Sequence, residues 1–261
     1  MFRDLRKRPE TSSSGPTEEL TCYFLHHAGG SAAGFTPMAR SFPAGWRLRA
    51  VDLPGRGSAS LQPHCRDAAE AVELLMPALL ADVNGPYCVF GHSMGALIGY
   101  ELVRALERAG SPPVWLGVSA MPAPELASAR FSERRDLWPP ERLVDFMRAL
   151  GGTPDELLAD PGTADWMVGI LRGDLHLVDT YAYAQGPPVD VPMSVFMGAD
   201  DELSTSELID DWQSYCTRPV RFHFLPGGHF YLFDQAEGLA RAVAEDIEKA
   251  EETVLPEPQS A

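Results

Sequence analysis

Cysteine is scarce in this chain, cations are outnumbered by carboxylates, and no apolar stretch runs long. Four cysteines, Cys22, Cys65, Cys88 and Cys216, are scattered through 261 residues without paired spacing. That excludes a disulfide-stapled scaffold and a cysteine zinc site, and it points to a reducing cytoplasm. Cys22 and Cys88 fall within apolar runs, where a reduced thiol packs as a small hydrophobe. No segment reaches the roughly 20 apolar residues that a bilayer-spanning helix requires. The opening "MFRDLRKRPETSSSGPTEE" carries basic residues with no apolar stretch behind them, so a secretory signal is excluded and residues 1–18 are expected to be a disordered leader. Residues 251–261 are expected to be a disordered tail. Lys and Arg number 21 against 37 Asp and Glu, a formal charge of −16. Such a surface repels phosphate, which excludes nucleic acid and anionic membrane as main partners and favours a soluble monomer.

What remains is an ordinary globular composition, 45% hydrophobic and 22% charged, at a length near the upper end for one core. A single domain over residues 19–250 is expected. Short β-rich runs alternate with helical patterns: "TCYFL" (21–25), "WRLRAV" (46–51), "YCVFG" (87–91), "VWLGVS" (114–119), "MSVFMG" (193–198) and "VRFHFL" (220–225). Several are apolar throughout, as strands buried on both faces must be. Between them, "DAAEAVELLMPALLADV" and "GALIGYELVRALERAG" carry apolar residues at helical spacing, the second closing at Gly110 ahead of Pro112. The alternation predicts an α/β fold with a mostly parallel sheet flanked by helices. It breaks once. From Met121 to Val191 there are helical patches and Pro-rich punctuation but no strand, so a helical lid over about 121–190 is expected between the runs at 114–119 and 193–198.

The chemistry concentrates in "VFGHSMGAL", where Gly91, Ser93 and Gly95 spell GxSxG between a strand and a helix. A strand-to-helix turn this tight holds its central serine in a strained, exposed conformation at the sheet's carboxyl edge. The helix N-terminus behind it offers free amides to a developing anion. Serine needs a base, and His229 in "LPGGHFYLF" follows the last strand on a Gly-rich loop at the same edge. The acid belongs between them in chain order, on the loop after the penultimate strand, where "MGADDELS" offers Asp200 and Asp201. Register from Gly198 favours Asp201, with Asp200 as second choice. The backbone amides of Met94 and of Ala28, in the Gly-rich loop "HHAGGSAAGF", are the expected oxyanion donors.

These motifs, with "VDLPGRGS", "LGGTPDELLAD" and "LRGDLHLVDTY", resemble the type II thioesterases of polyketide and nonribosomal peptide biosynthesis, from about Thr21 to Ile247. Glu202 departs from them, standing where relatives often carry proline. The resemblance implies an α/β-hydrolase fold, no cofactor and no metal. It also implies an editing role, in which aberrant or stalled acyl groups are hydrolysed from the phosphopantetheine thiol of acyl or peptidyl carrier proteins. A carboxylesterase acting on oxygen esters shares every one of these residues, and a non-catalytic binding protein shares the fold.

Other residues read more plainly. His92 is expected to pack beside the turn, His26 and His27 to be structural, and His64, His176 and His223 to be ordinary core or surface residues. Arg56 in "LPGRG" either touches substrate or holds a turn. "DWMVGI" is expected in the core rather than in an acyl pocket. In "SARFSERRD", Arg130, Arg134 and Arg135 form a candidate docking patch for an acidic carrier; the alternative is a solvated face paired with Glu133, Asp136 or Glu141.

Overall fold

The computed structural model describes residues 1–6, 20–130, 133–205 and 210–254. Seven strands form one sheet: β1 (Phe2–Asp4), β2 (Thr21–Leu25), β3 (Arg47–Val51), β4 (Tyr87–His92), β5 (Trp115–Ser119), β6 (Met193–Gly198) and β7 (Arg221–Leu225), in the order β1-β3-β2-β4-β5-β6-β7. Every neighbouring pair is parallel except β1 with β3. The central strands β2, β4, β5 and β6 are buried at every position, which is why their sequences show apolar runs without alternation. Their side chains still divide by period two. Tyr23, Leu25 and Val89 enter the core shared with α1 (Ala68–Asp82) and α2 (Met94–Arg108), whereas Cys22, Phe24, Cys88 and Phe90 enter the core shared with the C-terminal helix, Ala236–Val254.

The expected leader is corrected at its start. Phe2–Asp4 pairs antiparallel with β3, Leu5 is buried, and the Phe2 ring packs edge-on to Tyr23 at 5.1 Å. Arg49 donates to Asp4 at 2.9 Å, and Arg6 donates to the carbonyls of Phe42 at 3.2 Å and Trp46 at 2.5 Å. A three-residue edge strand is too short to show a period; backbone pairing, the burial of Leu5 and Phe2 and these side-chain ties hold it together. The rest of the expected leader, from residue 7 to 18, lies outside the described residues, as does the expected tail beyond Val254. The C-terminal helix itself continues to Val254, past the expected boundary at 251.

Among the described residues, four α-helices lie between β5 and β6: α3 (Pro124–Arg130), α4 (Pro140–Leu150), α5 (Asp155–Ala159) and α6 (Pro161–Asp179). Leu143, Met147 and Leu158 pack with Val168, Leu171 and Leu175 of α6 into a small core separate from the two that flank the sheet. The insertion is thus a layer with its own apolar interior.

The turn from β4 into α2 is packed backbone against backbone. A Cβ on Gly95 would overlap the carbonyl of Leu25 at the end of β2, and a Cβ on Gly91 would overlap the carbonyl of Gly95. Only hydrogen fits at either place, so the helix can descend directly onto the sheet. Ser93, between them, takes φ 54° and ψ −122°, a conformation that costs a non-glycine residue about 1–3 kcal/mol.

Two measurements check this account. Deleting residues 1–6 is expected to cost about 2 kcal/mol in thermal or urea unfolding, mostly the burial of Leu5 and Phe2; an unchanged midpoint would show that the edge strand adds no net stability. Gly95→Ala is expected to cost about 3 kcal/mol or more, because the obstacle is backbone on both sides; a wild-type melting curve would contradict the packing.

Candidate active site

Ser93, Asp201 and His229 meet at the carboxyl edge of the sheet although they leave it from three different strands. The His229 Nε2 lies 3.1 Å from Ser93 Oγ, and His229 Nδ1 donates to Asp201 Oδ2 at 2.9 Å. With Nδ1 carrying the proton, Nε2 presents its lone pair to the serine hydroxyl. Asp201 is buried, and its other carboxylate oxygen accepts from the Leu203 amide at 2.9 Å. Asp200, the neighbour, points outward and is exposed; its amide is engaged with the Gly227 carbonyl at 2.9 Å. Adjacent residues on a turn face opposite ways, so the geometry brings Asp201 and not Asp200 to the histidine.

The strained serine is held from beneath. Its amide donates to the Ser119 carbonyl at 2.7 Å, and Ser119 Oγ is hydrogen-bonded both to His92 Nδ1 at 2.8 Å and to the Tyr231 hydroxyl at 2.7 Å. This buried chain links the serine turn to the loop that carries His229, through residues of β4, β5 and the segment after β7. Ala120, next in line, has φ 52°, the other non-glycine residue at positive φ among the described residues. Strain is therefore concentrated at this edge.

His26 and His92, both buried, and the half-buried His27 surround the site as neutral rings. Burial is the main cause in each case: the pKa values of His26 and His27 are pushed down to about 3, and that of His92 well below the usual range. They serve as packing and hydrogen-bonding groups. His27 stacks edge-on to Phe230 at 4.7 Å, and His26 Nδ1 donates to the His27 carbonyl at 2.8 Å. His176 and His223 sit against carboxylates, Asp136 at 2.9 Å and Asp246 at 2.6 Å.

Of the two expected anion donors, Met94 is the first residue of α2, so its amide has no partner within the helix. Ala28 lines the same cavity as Ser93 and His229. Away from these groups the cavity is walled by Phe146, Met147 and Leu150 of α4, by Met167, Leu171, Leu175 and Val178 of α6, and by Met121. Its shape and polarity suit an acyl chain whose carbonyl reaches Ser93. "DWMVGI" accordingly divides: Met167 faces the cavity, contrary to the expectation of core, and Trp166 is exposed. Helical periodicity marked this segment as half-buried but could not distinguish a core from a pocket wall.

The candidate docking patch is corrected at Arg135. Arg135 is buried, donates to Asp179 at 2.6 Å and lines the cavity, so it offers nothing to an external partner. Arg134 is exposed but grips Asp136 through two bonds of 2.7 and 2.6 Å, which cancels its charge locally. The side chain of Arg130 lies outside the described residues. The carboxylates that complete these pairs include Asp179, 44 residues away in the chain, which no local reading of the charge run could supply.

Among the described residues, no group of three or more His, Cys, Asp or Glu side chains is arranged to hold a metal, and no helix is long and apolar enough to cross a membrane. All four cysteines are free and buried.

Comparison with known proteins converges on one family. A family model described as a thioesterase domain matches residues 21–250. The gramicidin S biosynthesis protein GrsT of Aneurinibacillus migulanus is 29% identical over 217 residues, which span 83% of this chain and 84% of that protein. Among solved structures, the type II thioesterase BorB from the borrelidin biosynthetic cluster is 31% identical with a TM-score of 0.80, over 94% of this chain and 97% of its own. ClbQ from the colibactin NRPS/PKS pathway is 26% identical with a TM-score of 0.83, over 90% and 100%. With a parallel sheet, a serine at a strained strand-to-helix turn and a family match along nearly its whole length, the chain belongs to the thioesterases, enzymes of the α/β-hydrolase fold.

Proposed function

We propose that this thioesterase releases aberrant or stalled acyl groups from the phosphopantetheine thiol of acyl or peptidyl carrier proteins serving a polyketide or nonribosomal peptide synthase. The observation that carries the proposal is the continuous path from Asp201 through His229 to Ser93, which lines a largely apolar cavity. The kinship with BorB and GrsT supports the carrier-bound substrate.

The reaction runs in two halves. Ser93 Oγ attacks the thioester carbon while His229 Nε2 takes its proton, and the carbonyl oxygen, now an anion, is received by the amides of Ala28 and Met94. The C–S bond then breaks, the imidazolium returns its proton to the leaving sulfur, and the acyl group stays on Ser93. Water next enters, His229 takes one of its protons as the oxygen adds to the acyl carbon, and the second tetrahedral anion collapses to free acid as the imidazolium returns that proton to the departing Ser93 Oγ. Asp201 keeps the histidine in the reactive tautomer and stabilises its charged form. The neutral rings of His27 and His92 add no competing positive charge beside the imidazolium. No step calls for a cofactor or metal, and the enzyme is expected to act as a monomer in the cytoplasm.

Ser93→Ala is expected to abolish turnover of an acyl-carrier thioester without lowering the melting temperature. Asp201→Asn should lower kcat about 10⁴-fold, and Asp200→Asn less than threefold. Reversal of the last two results would assign the acid to Asp200. Matched thioester and oxygen ester substrates should differ in favour of the thioester; a preference for the oxygen ester would make the enzyme a carboxylesterase.

A further inference from the structure

Two motifs that the triad leaves unused meet under the loop that carries Ala28. Arg56 of "LPGRG" and Asp174 of "LRGD" are 118 residues apart in the chain, yet form a two-pronged ion pair, with Nη2 to Oδ1 at 2.5 Å and Nη1 to Oδ2 at 2.6 Å. Both side chains are almost completely buried, 2% and 4% exposed. Each partner also holds the loop backbone. Asp174 Oδ2 accepts from the Gly29 amide at 2.7 Å, and Arg56 Nη1 donates to the Gly30 carbonyl at 2.9 Å. The pair therefore grips the two residues immediately after Ala28, one by its N–H and the other by its C=O.

The same contact joins the loop to α6. Asp174 sits on that helix between Leu171 and Leu175, which line the cavity, and a Cβ on Gly29 would lie 3.4 Å from Leu171 Cδ1. The loop and the helix wall are thus in direct contact beside the ion pair, Gly29 against Leu171.

We propose that Arg56 and Asp174 are positioning residues for the oxyanion hole: they fix the Ala28 amide against α6, so that the wall contacting the acyl chain and the donor facing its carbonyl are held as one unit. A buried ion pair contributes little net stability compared with apolar residues of similar size, so its stability alone gives no reason for its place here. Geometry does. A preorganised donor owes its effect on rate to being already aimed at the transition-state oxygen, and a two-pronged guanidinium–carboxylate pair fixes orientation better than a single contact does. The inference rests on the reading of Ser93 as nucleophile and Ala28 as anion donor.

The double variant R56M/D174L removes both charges together and leaves neither one buried alone. It is expected to fold, with kcat on hexanoyl-pantetheine lowered about 10²-fold, as for loss of one oxyanion donor, and KM within threefold of wild type. Inhibition by an alkyl trifluoromethyl ketone, which forms a tetrahedral oxyanion on Ser93, should weaken in step with kcat. Binding of the matching alkyl thioether, which has no carbonyl, should not change. A purely structural role would move the thioether as well. A folded double variant with kcat within threefold of wild type, or with thioether affinity lost alongside kcat, would overturn the proposal. Should the double variant fail to fold, R56K decides the matter: one ammonium keeps the charge but not both grips, and kcat should fall at least tenfold with thioether binding intact, whereas unchanged kcat overturns the proposal. S93A is assayed in parallel. Turnover surviving in S93A would remove the underlying reading, while a dead S93A beside a fully active clamp variant removes the clamp alone.

Discussion

The whole site depends on one close approach, that of the Gly95 backbone to the carbonyl of Leu25. Because nothing larger than hydrogen stands between them, α2 begins directly over the end of β2, and the chain has to turn at Ser93 through a backbone conformation that serine ordinarily avoids. The strain lifts the hydroxyl clear of the sheet. Burial of α2 against β4, β5 and α1 supplies the energy that holds it there, since eleven of the fifteen residues of that helix are buried. A nucleophile on a looser turn would have the same chemistry but no fixed position for His229 to meet.

Around that turn the protein uses polar groups in two ways. Ser119 binds His92 and Tyr231 and so ties together the serine turn and the His229 loop, a satisfied network in a dry place. His26, His27 and His92 are kept neutral by burial, so they add no positive charge beside His229. Charge is also kept off the acyl wall. Arg135, the arginine that reaches the cavity, is neutralised by Asp179, and burial raises the Asp179 carboxyl above its ordinary pKa. The surface presented to an acyl chain is therefore mostly apolar, although the chain as a whole carries −16.

Much of this was legible in the sequence where the signal is local. The four central strands appear as apolar runs because both faces of the sheet are covered there, and GxSxG is readable because the serine and both glycines lie within five residues. The order Ser93, Asp201, His229 follows from strand order, and the exposed Asp200 differs from Asp201 by a single step on one turn. What sequence could not show depends on pairing at a distance. Phe2–Asp4 pairs with β3 and is tied to it by Arg49, in a strand too short to carry a hydrophobic period. Arg56 had two open readings until Asp174 supplied its partner, and Arg135 looked like a docking cation until Asp179 drew it inward. The acyl wall has the same cause: Met167 and Leu171 carry the ordinary pattern of a packed helix, and only the placement of α4 decides that they face a cavity.

The most direct test of the central claim is to trap the covalent intermediate. Acyl-carrier thioester is mixed with enzyme, quenched within a turnover, and the digested protein is analysed by mass spectrometry. The account predicts the acyl mass on the peptide containing Ser93, appearing before free acid and decaying as acid forms. Acid released with no adduct, or with the acyl group on any other residue, would contradict it.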